Sequence, residues 1–219
     1  MPFTTLAEMV AQQRADATAI TAPAGDTPCT ALTYGALSAL IDRTVSTLNG
    51  QGIGRGDRVA IVLPNCPEMA TAFVAVASAC TSAPLNMAYR ADEFEFYLSD
   101  LKAKALIVAE GAQTPARDVA AKLGVRVLEL RPMPGRGAGD FDLVAQGVGA
   151  TLAASSGAAQ ADDVALILHT SGTTSRPKIV PLTHRNVCAS ARNISRTLAL
   201  TERDVELHIM PLFHIHGLI

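Results

Sequence analysis

Short runs in which nearly every residue is apolar recur along this chain, the first three separated by stretches with helical spacing. Arg58-Val-Ala-Ile-Val-Leu63, Ala105 to Ala109, Val125 to Leu130 and Asp162-Asp-Val-Ala-Leu-Ile-Leu168 are such runs. Side chains alternate between the two faces of a strand, so a run that is apolar throughout must be covered on both. Helices give that cover when strands are parallel. The pattern therefore predicts an α/β fold of mostly parallel β-sheets flanked by helices.

The helices announce their own starts. Thr5 and Glu8 have capping-box spacing, with Leu6, Met9 and Val10 on one side of the following helix. Thr33 caps a second helix, in which Leu37, Leu40, Ile41, Val45 and Leu48 recur at helical spacing until Gly50, Gly52, Gly54 and Gly56 end it. Further helices are predicted from Pro67, over Asp92 to Leu101, over Pro115 to Leu123, and from a Thr183 cap to about Leu198. Additional strands are expected at Ala83 to Asn86 and Ile179 to Leu182. Gly25 to Thr30 reads as a turn-rich connection, Arg131 to Asp140 as a surface loop, Ala153 to Ala161 as a small-residue linker and His169 to Pro177 as a polar loop.

Composition removes several functions. Eighteen Lys and Arg against twenty Asp and Glu leave a net charge of −2, so no basic excess exists to grip nucleic acid or anionic lipid. Aromatic residues are 4% and Trp is absent, which disfavours a stacking platform for bases. With 49% hydrophobic and 17% charged residues, the 219-residue chain has the material for a core and is not disordered over most of its length. Cys29, Cys66, Cys80 and Cys188 show no CxxC spacing and read as reduced, buried thiols of a cytoplasmic protein. No signal peptide is evident. Met69 to Tyr89 lacks charge, but its Ala, Ser and Thr content and Pro84 fit a buried helix running into a strand, not a membrane span.

One stretch carries chemistry: Leu168-His-Thr-Ser-Gly-Thr-Thr-Ser-Arg-Pro-Lys178. Thr170, Ser171, Thr173 and Thr174 stand around Gly172, directly after a strand, and Arg176 and Lys178 bring positive charge. Triphosphate oxygens need many donors and a nearby cation, and a glycine lets backbone amides come close. The run is not a Walker A loop, because Pro177 and Ile179 stand where that motif needs Gly and Ser or Thr around its Lys. On the residues alone, a Ser/Thr-rich turn without a ligand is the alternative.

Thr170 to Lys178 resembles the phosphate-binding loop of the adenylate-forming enzymes: acyl-CoA synthetases, coumarate-CoA ligases, luciferases and peptide-synthetase adenylation domains. Leu32-Thr-Tyr-Gly-Ala-Leu37, Gly56-Asp-Arg-Val-Ala-Ile61, Pro64-Asn-Cys-Pro-Glu68, Pro84-Leu-Asn86 and Met210-Pro-Leu-Phe-His-Ile-His-Gly217 are similar to other family segments and fall in the same order. The string HTSGTTSRPK is similar to the oxalate-CoA ligase branch in particular. Two positions depart from the pattern, Ser175 and Ile179, where the family usually has Gly. A positive φ at Ile179 would cost about 1–2 kcal/mol, whereas ordinary β backbone suits Ile, and the strand pattern of Val180 and Leu182 favours the latter.

The resemblance implies the N-terminal part of the family's large domain, with residues 1–160 as a first α/β subdomain and 161–219 as the phosphate-loop segment and the start of a second. It implies a carboxylate-CoA ligase that forms an acyl-adenylate from ATP with Mg²⁺ and passes the acyl group to coenzyme A, oxalate or another small dicarboxylate being favoured. A fatty- or aryl-acid ligase, an adenylation domain serving a carrier protein, and a non-catalytic module are the alternatives. Thr170, Ser171, Gly172, Thr173, Thr174 and Lys178 would hold the phosphates, with Thr174 as the magnesium contact. His214 and Lys178 would be catalytic, and His214 and His216 would meet the substrate. On the residues alone, His214 and His216 on a strand-like segment read as structural, and zinc is disfavoured because no third ligand is in view. His169 reads as filling a strand end. The apolar Ile209 to Ile219 suggests a chain that stops inside a larger fold, so that 1–219 alone would not complete adenylation; a docked terminal strand is the alternative. A homo-oligomer is compatible with all of this.

Overall fold

Capping residues set where the helices begin. The computed structural model describes residues 3–22, 30–145, 152–170 and 177–219. In α1 (Leu6–Ala11) the Thr5 hydroxyl accepts from the Glu8 amide at 3.2 Å, and the Glu8 carboxylate accepts from the Thr5 amide at 3.2 Å. Two amides with no helical partner are thereby satisfied. Thr33 caps α2 (Tyr34–Gly50) through the Ala36 amide.

Between these helices β1 (Thr18–Ile20) and β2 (Leu32–Thr33) form a small antiparallel pair. The chain then alternates through β3 (Arg58–Val62), α3 (Pro67–Ala77), β4 (Thr81–Pro84), α4 (Ala91–Leu101), β5 (Ala105–Ala109), α5 (Pro115–Leu123) and β6 (Arg126–Pro132). A 3-10 turn at Pro134–Arg136 leads to β7 (Phe141–Ala145), followed by β8 (Val164–Thr170), β9 (Lys178–Thr183), α6 (His184–Thr197) and the short α7 (Ile215–Leu218). Among the described residues, seven strands form one sheet in the order β7-β6-β5-β3-β4-β8-β9. The inner five are parallel, while β7 and β9 close the two edges antiparallel to their neighbours. This is the expected α/β architecture. β8 and β9, beyond residue 160, join the sheet through the pairing of Ser82 with Leu166.

The inner strands are apolar on both faces because both faces are covered. Val59 and Ile61 of β3, with Ile107 and Leu128, pack against Leu40 and Ile41 of α2 and Ala72 and Val76 of α3. Ala60 and Val62, with Leu106 and Val108, pack against Phe94 and Leu98 of α4 and Val119 of α5. A third cluster joins Leu6, Phe73, Ala165, Leu166 and Val187 at the β8 end. Burying one such Leu, Ile or Phe side chain stabilises the fold by about 1.5–3 kcal/mol. Among the described residues no helix is long and apolar enough to cross a membrane, and the uncharged run from Met69 is α3 leading into β4.

Four expectations are corrected. The strand read at Ala83 to Asn86 occupies Thr81–Pro84, because backbone pairing with Arg58 and Val59 draws in Thr81 and Ser82 whatever their side chains. Arg131 to Asp140 is not simply a surface loop. β6 runs to Pro132, and β7, an unexpected strand, returns with Pro132 opposite Phe141. Asp140 is buried there, its carboxylate 2.9 Å from nearby Arg136 and 2.9 Å from Arg43, and the Arg43 pairing joins residues too far apart to leave a local pattern. Cys80 and Cys188 are buried free thiols, but Cys66 is only partly buried, at the start of α3; Cys29 lies outside the described residues. Thr170, read as loop, is the last residue of β8, and His169 before it fills the strand end as its second reading had it.

Candidate active site

Neighbouring strands whose following helices go to opposite faces open a crevice at their C-terminal ends. β3 and β4 are such a pair. β3 feeds α3, which packs on the Ile61 face, and β4 feeds α4, which packs on the Ala60 face. The crevice between them, about 200 Å³, is lined by Leu63, Asn65, Leu85 and Met87, and by Leu212 and Phe213 from the far end of the chain. Asn65 Oδ1 accepts from the Leu212 amide at 2.9 Å. The Pro64–Glu68 and Met210–Gly217 segments, singled out separately in the sequence, are thus joined by a hydrogen bond.

β8 runs parallel to β4, so its C-terminal residue Thr170 emerges on the same edge of the sheet. There the chain reverses into β9, and the ladder places Thr170 opposite Lys178. Both side chains are exposed, and among the described residues no carboxylate pairs with Lys178. A hydroxyl donor and a free ammonium therefore face one side of a strand pair. Ser171, Gly172, Thr173, Thr174, Ser175 and Arg176 lie outside the described residues. Ile179 is ordinary strand, since only Lys102 and Ala199 among described non-glycine residues have positive φ. Its side chain packs on the α4 side of the sheet, so replacing the family's usual glycine carries no backbone strain.

Ile179 pairs with His169, and His169 makes contacts its sequence position does not suggest. The ring is 5% exposed, with Nε2 3.0 Å from Asp100 Oδ2 and the ring edge-on to Tyr97 at 4.7 Å. Burial holds the imidazole below its ordinary range, partly offset by Asp100, so the ring is neutral at pH 7 and donates from Nε2. Sequence reasoning missed Asp100 and Tyr97. The available signal was that His169 lies two residues beyond Ile167, on the strand face that α4 covers.

His214 and His216 are on a helix, not a strand. His214, with φ −115° and ψ 146°, is the N-cap of α7, and its Nδ1 accepts from the His216 amide at 3.3 Å. With Nδ1 accepting there, Nε2 is the ring nitrogen left as a donor. The helix folds back so tightly that a Cβ on Gly217 would stand 2.2 Å from the Pro211 carbonyl oxygen, which is why only glycine fits. His216 lines a groove of about 340 Å³ with Leu182, Asn186, Ile194, Ile215 and Ile219. Leu182 lies four residues along β9 from Lys178, roughly 13 Å at the rise of a strand. The two sets of expected residues therefore share one strand as their frame.

Other chemistry is not assembled. Among the described residues no three His, Cys, Asp or Glu gather to hold a metal ion. Burial pushes the Cys66 thiol up to about 11, so it is protonated at neutral pH and is no nucleophile.

Comparison with known proteins identifies the family. The chain is 44% identical over 191 residues to an oxalate–CoA ligase of Arabidopsis thaliana, covering 86% of this chain and 37% of that protein. It is 40% identical over 186 residues to the oxalate–CoA ligase of Saccharomyces cerevisiae, covering 75% and 34%. The crystal structure of ATP-bound MatB from Rhodopseudomonas palustris superposes with a TM-score of 0.75 at 28% identity, over 98% of this chain and 42% of that one. This chain thus spans little more than a third of the curated relatives it matches. The profile described as AMP-binding enzyme matches residues 7–219. By that match and by its relatives, the chain belongs to the AMP-binding enzyme family.

Proposed function

We propose that these residues carry the phosphate-binding part of an ATP-dependent carboxylate–CoA ligase, with oxalate or another small dicarboxylate as the acid. The single observation that carries the reading is Thr170 paired with Lys178 on the edge where the Asn65–Leu212 contact joins the other family segments. The name of the plant and yeast relatives supports the choice of acid.

In the first step a carboxylate oxygen attacks the α-phosphorus of ATP, the bond to the bridging oxygen breaks, and pyrophosphate leaves. Negative charge grows on the departing group. Lys178 meets that charge with an ammonium, and Thr170, with Ser171, Gly172, Thr173 and Thr174, donates hydroxyl and amide hydrogens to the phosphate oxygens. Positioning these donors in advance spares their reorganisation as the charge develops. The His214 Nε2–H orients the carboxylate or adenylate, its tautomer fixed by the cap on α7. In the second step the coenzyme A sulfur attacks the acyl carbon and AMP leaves.

Magnesium fits the donor set in one manner. Of these residues, the Thr174 hydroxyl would be the one to hold the ion; among the described residues no three His, Cys, Asp or Glu gather to add to it. When bound, it supplies positive charge to the phosphates.

One observation favours a second reading, a fatty- or aryl-acid CoA ligase. The groove beside His216 is walled by Leu182, Ile194, Ile215 and Ile219, and among the described residues no Lys or Arg lines it for a second carboxylate. Carboxylate-dependent exchange of pyrophosphate into ATP, run with a panel of acids on the polypeptide at the full length of its relatives, separates the two. Oxalate is expected to give the fastest exchange, and Lys178→Ala to lower it about 10²-fold. Faster exchange with a long-chain or aromatic acid would favour the second reading. No exchange with any acid would overturn both. The 219 residues alone are expected to give none.

A further inference from the structure

β8 extends past its inner neighbour. Its ladder with β4 is at Leu166, whereas its ladder with β9 continues through His169–Ile179 to Thr170–Lys178. Among the described residues, the last two pairs are therefore held in the sheet by the edge strand β9 alone. Such an end opens easily unless side chains tie it down.

His169 supplies the tie. Its Nε2 reaches Asp100 on α4, and its ring rests edge-on against Tyr97, which in turn stacks on Tyr89 at 4.6 Å. Asp100 and Tyr97 stand three residues apart and so share a face of α4, a helix rooted in the core by Phe94, Leu98 and Leu101. Strand alternation then divides the work. His169 and Ile179 point toward α4, while Thr170 and Lys178 point to the opposite side.

We infer that His169, held by Asp100, is a positioning residue for the proposed phosphate site: by pinning the mouth of the β8–β9 hairpin to α4, it fixes the directions of the Thr170 hydroxyl and the Lys178 ammonium. The inference rests on the phosphate-binding reading above. It assigns His169 no contact with the nucleotide, and it gives α4 a part in the site.

The test uses the 219-residue chain with magnesium tripolyphosphate as the probe, comparing wild type, Lys178→Ala, His169→Ala, His169→Gln and Asp100→Asn. Binding is read by calorimetry, and amide hydrogen exchange is read at residues 168–170 and 178–180. Gln is chosen because its amide places a donor near the position of Nε2. His169→Ala is expected to weaken binding about tenfold, the scale on which loss of an orienting partner weakens a held group. Exchange should rise at the hairpin mouth while the unfolding midpoint of the chain stays put. His169→Gln should recover most of the loss, and Asp100→Asn, whose amide oxygen still accepts from the His169 Nε2–H, should lose little. Unchanged binding and exchange in His169→Ala would overturn the inference. So would exchange raised throughout the chain, or a Gln variant no better than Ala. If wild type fails to bind the probe, or Lys178→Ala binds as well as wild type, the phosphate reading falls and the positioning role falls with it. The exchange data would still show separately whether His169 pins the hairpin.

Discussion

Two stretches of this molecule carry the same kind of residue and meet opposite fates. In β3, Val59, Ala60 and Ile61 are completely buried. In the segment 203–210, Val205, Leu207 and Ile209 are 90%, 80% and 75% exposed. The second stretch even alternates apolar and polar residues as a half-covered strand would, yet among the described residues it pairs with none. β3 has β4 and β5 in register on its two sides, α2 and α3 over one face, and α4 and α5 over the other. Apolar patterning states that a surface asks for cover; only topology decides whether a neighbour gives it.

The largest expected effect breaks the covered side of that comparison. Ile61→Ala should lower the unfolding free energy by about 2–5 kcal/mol, measured by urea denaturation, because a packed interior closes only partly around the space left. His184 extends the comparison to a polar group buried as completely as Ile61. Its Nδ1 accepts from the Leu6 amide at 3.2 Å and its Nε2 donates to the Ala77 carbonyl at 2.9 Å, so it ties α6 to α1 and α3. His184→Ala leaves both backbone groups without this partner and should cost about 2–3 kcal/mol in the same assay.

The pH dependence of stability follows from the same residue. Burial holds the His184 imidazole below its ordinary range, against the Ala77 carbonyl, Asp163 and Glu8, which favour its protonated form, and His169 is lowered likewise against Asp100. Above about pH 6.5 both rings are neutral whether the chain is folded or not, and they add no pH dependence. Below it the unfolded chain takes up protons that the folded chain resists. Stability should therefore fall as pH drops toward 5, by at most about 1.4 kcal/mol per pH unit for each ring. Replacing His184 with Gln should flatten that slope in urea midpoints taken between pH 8 and pH 5. The carboxyls of Asp163, bonded to Arg55, and of Glu8, bonded to Thr4, are held below the ordinary carboxyl range, so the stability they add is present above that range and lost as pH falls below it.

The smallest effect belongs to the uncovered stretch. Leu207→Ser should change stability by less than about 0.5 kcal/mol while reducing self-association in sedimentation. A loss comparable to that at Ile61 would show that this segment is covered in solution.

What could be read from the sequence is what neighbouring residues decide among themselves. Thr5 with Glu8, Thr33 with Ala36, and Thr183 with Asn186 are short-range capping arrangements, and each helix starts where its cap stands. Ala105–Ala109 and Pro115–Leu123 appear with the predicted bounds because a run of branched residues and a Thr-Pro start are local signals. β7 was not legible. Its register depends on a return from Pro132 and on a buried Asp140 held by Arg43, 97 residues away. In the site, the family segments were visible as strings, but the bond between Asn65 and Leu212 spans 147 residues, and the bond between His169 and Asp100 spans 69. The α7 helix replaced the expected strand at His214 because a single His ring caps it, a role the apolar pattern around it does not announce.

The antiparallel edge strand has a consequence for how this site can change. With Thr170 and Lys178 as the paired feet of a hairpin, residues 171–177 can be exchanged as a cassette without rethreading the sheet, because both attachment points are set by backbone ladder bonds. Had the cation followed on a helix after a parallel crossover, every change of length would have moved it. New donor patterns could therefore be tried on this scaffold, with the placement of the charge left to the strands.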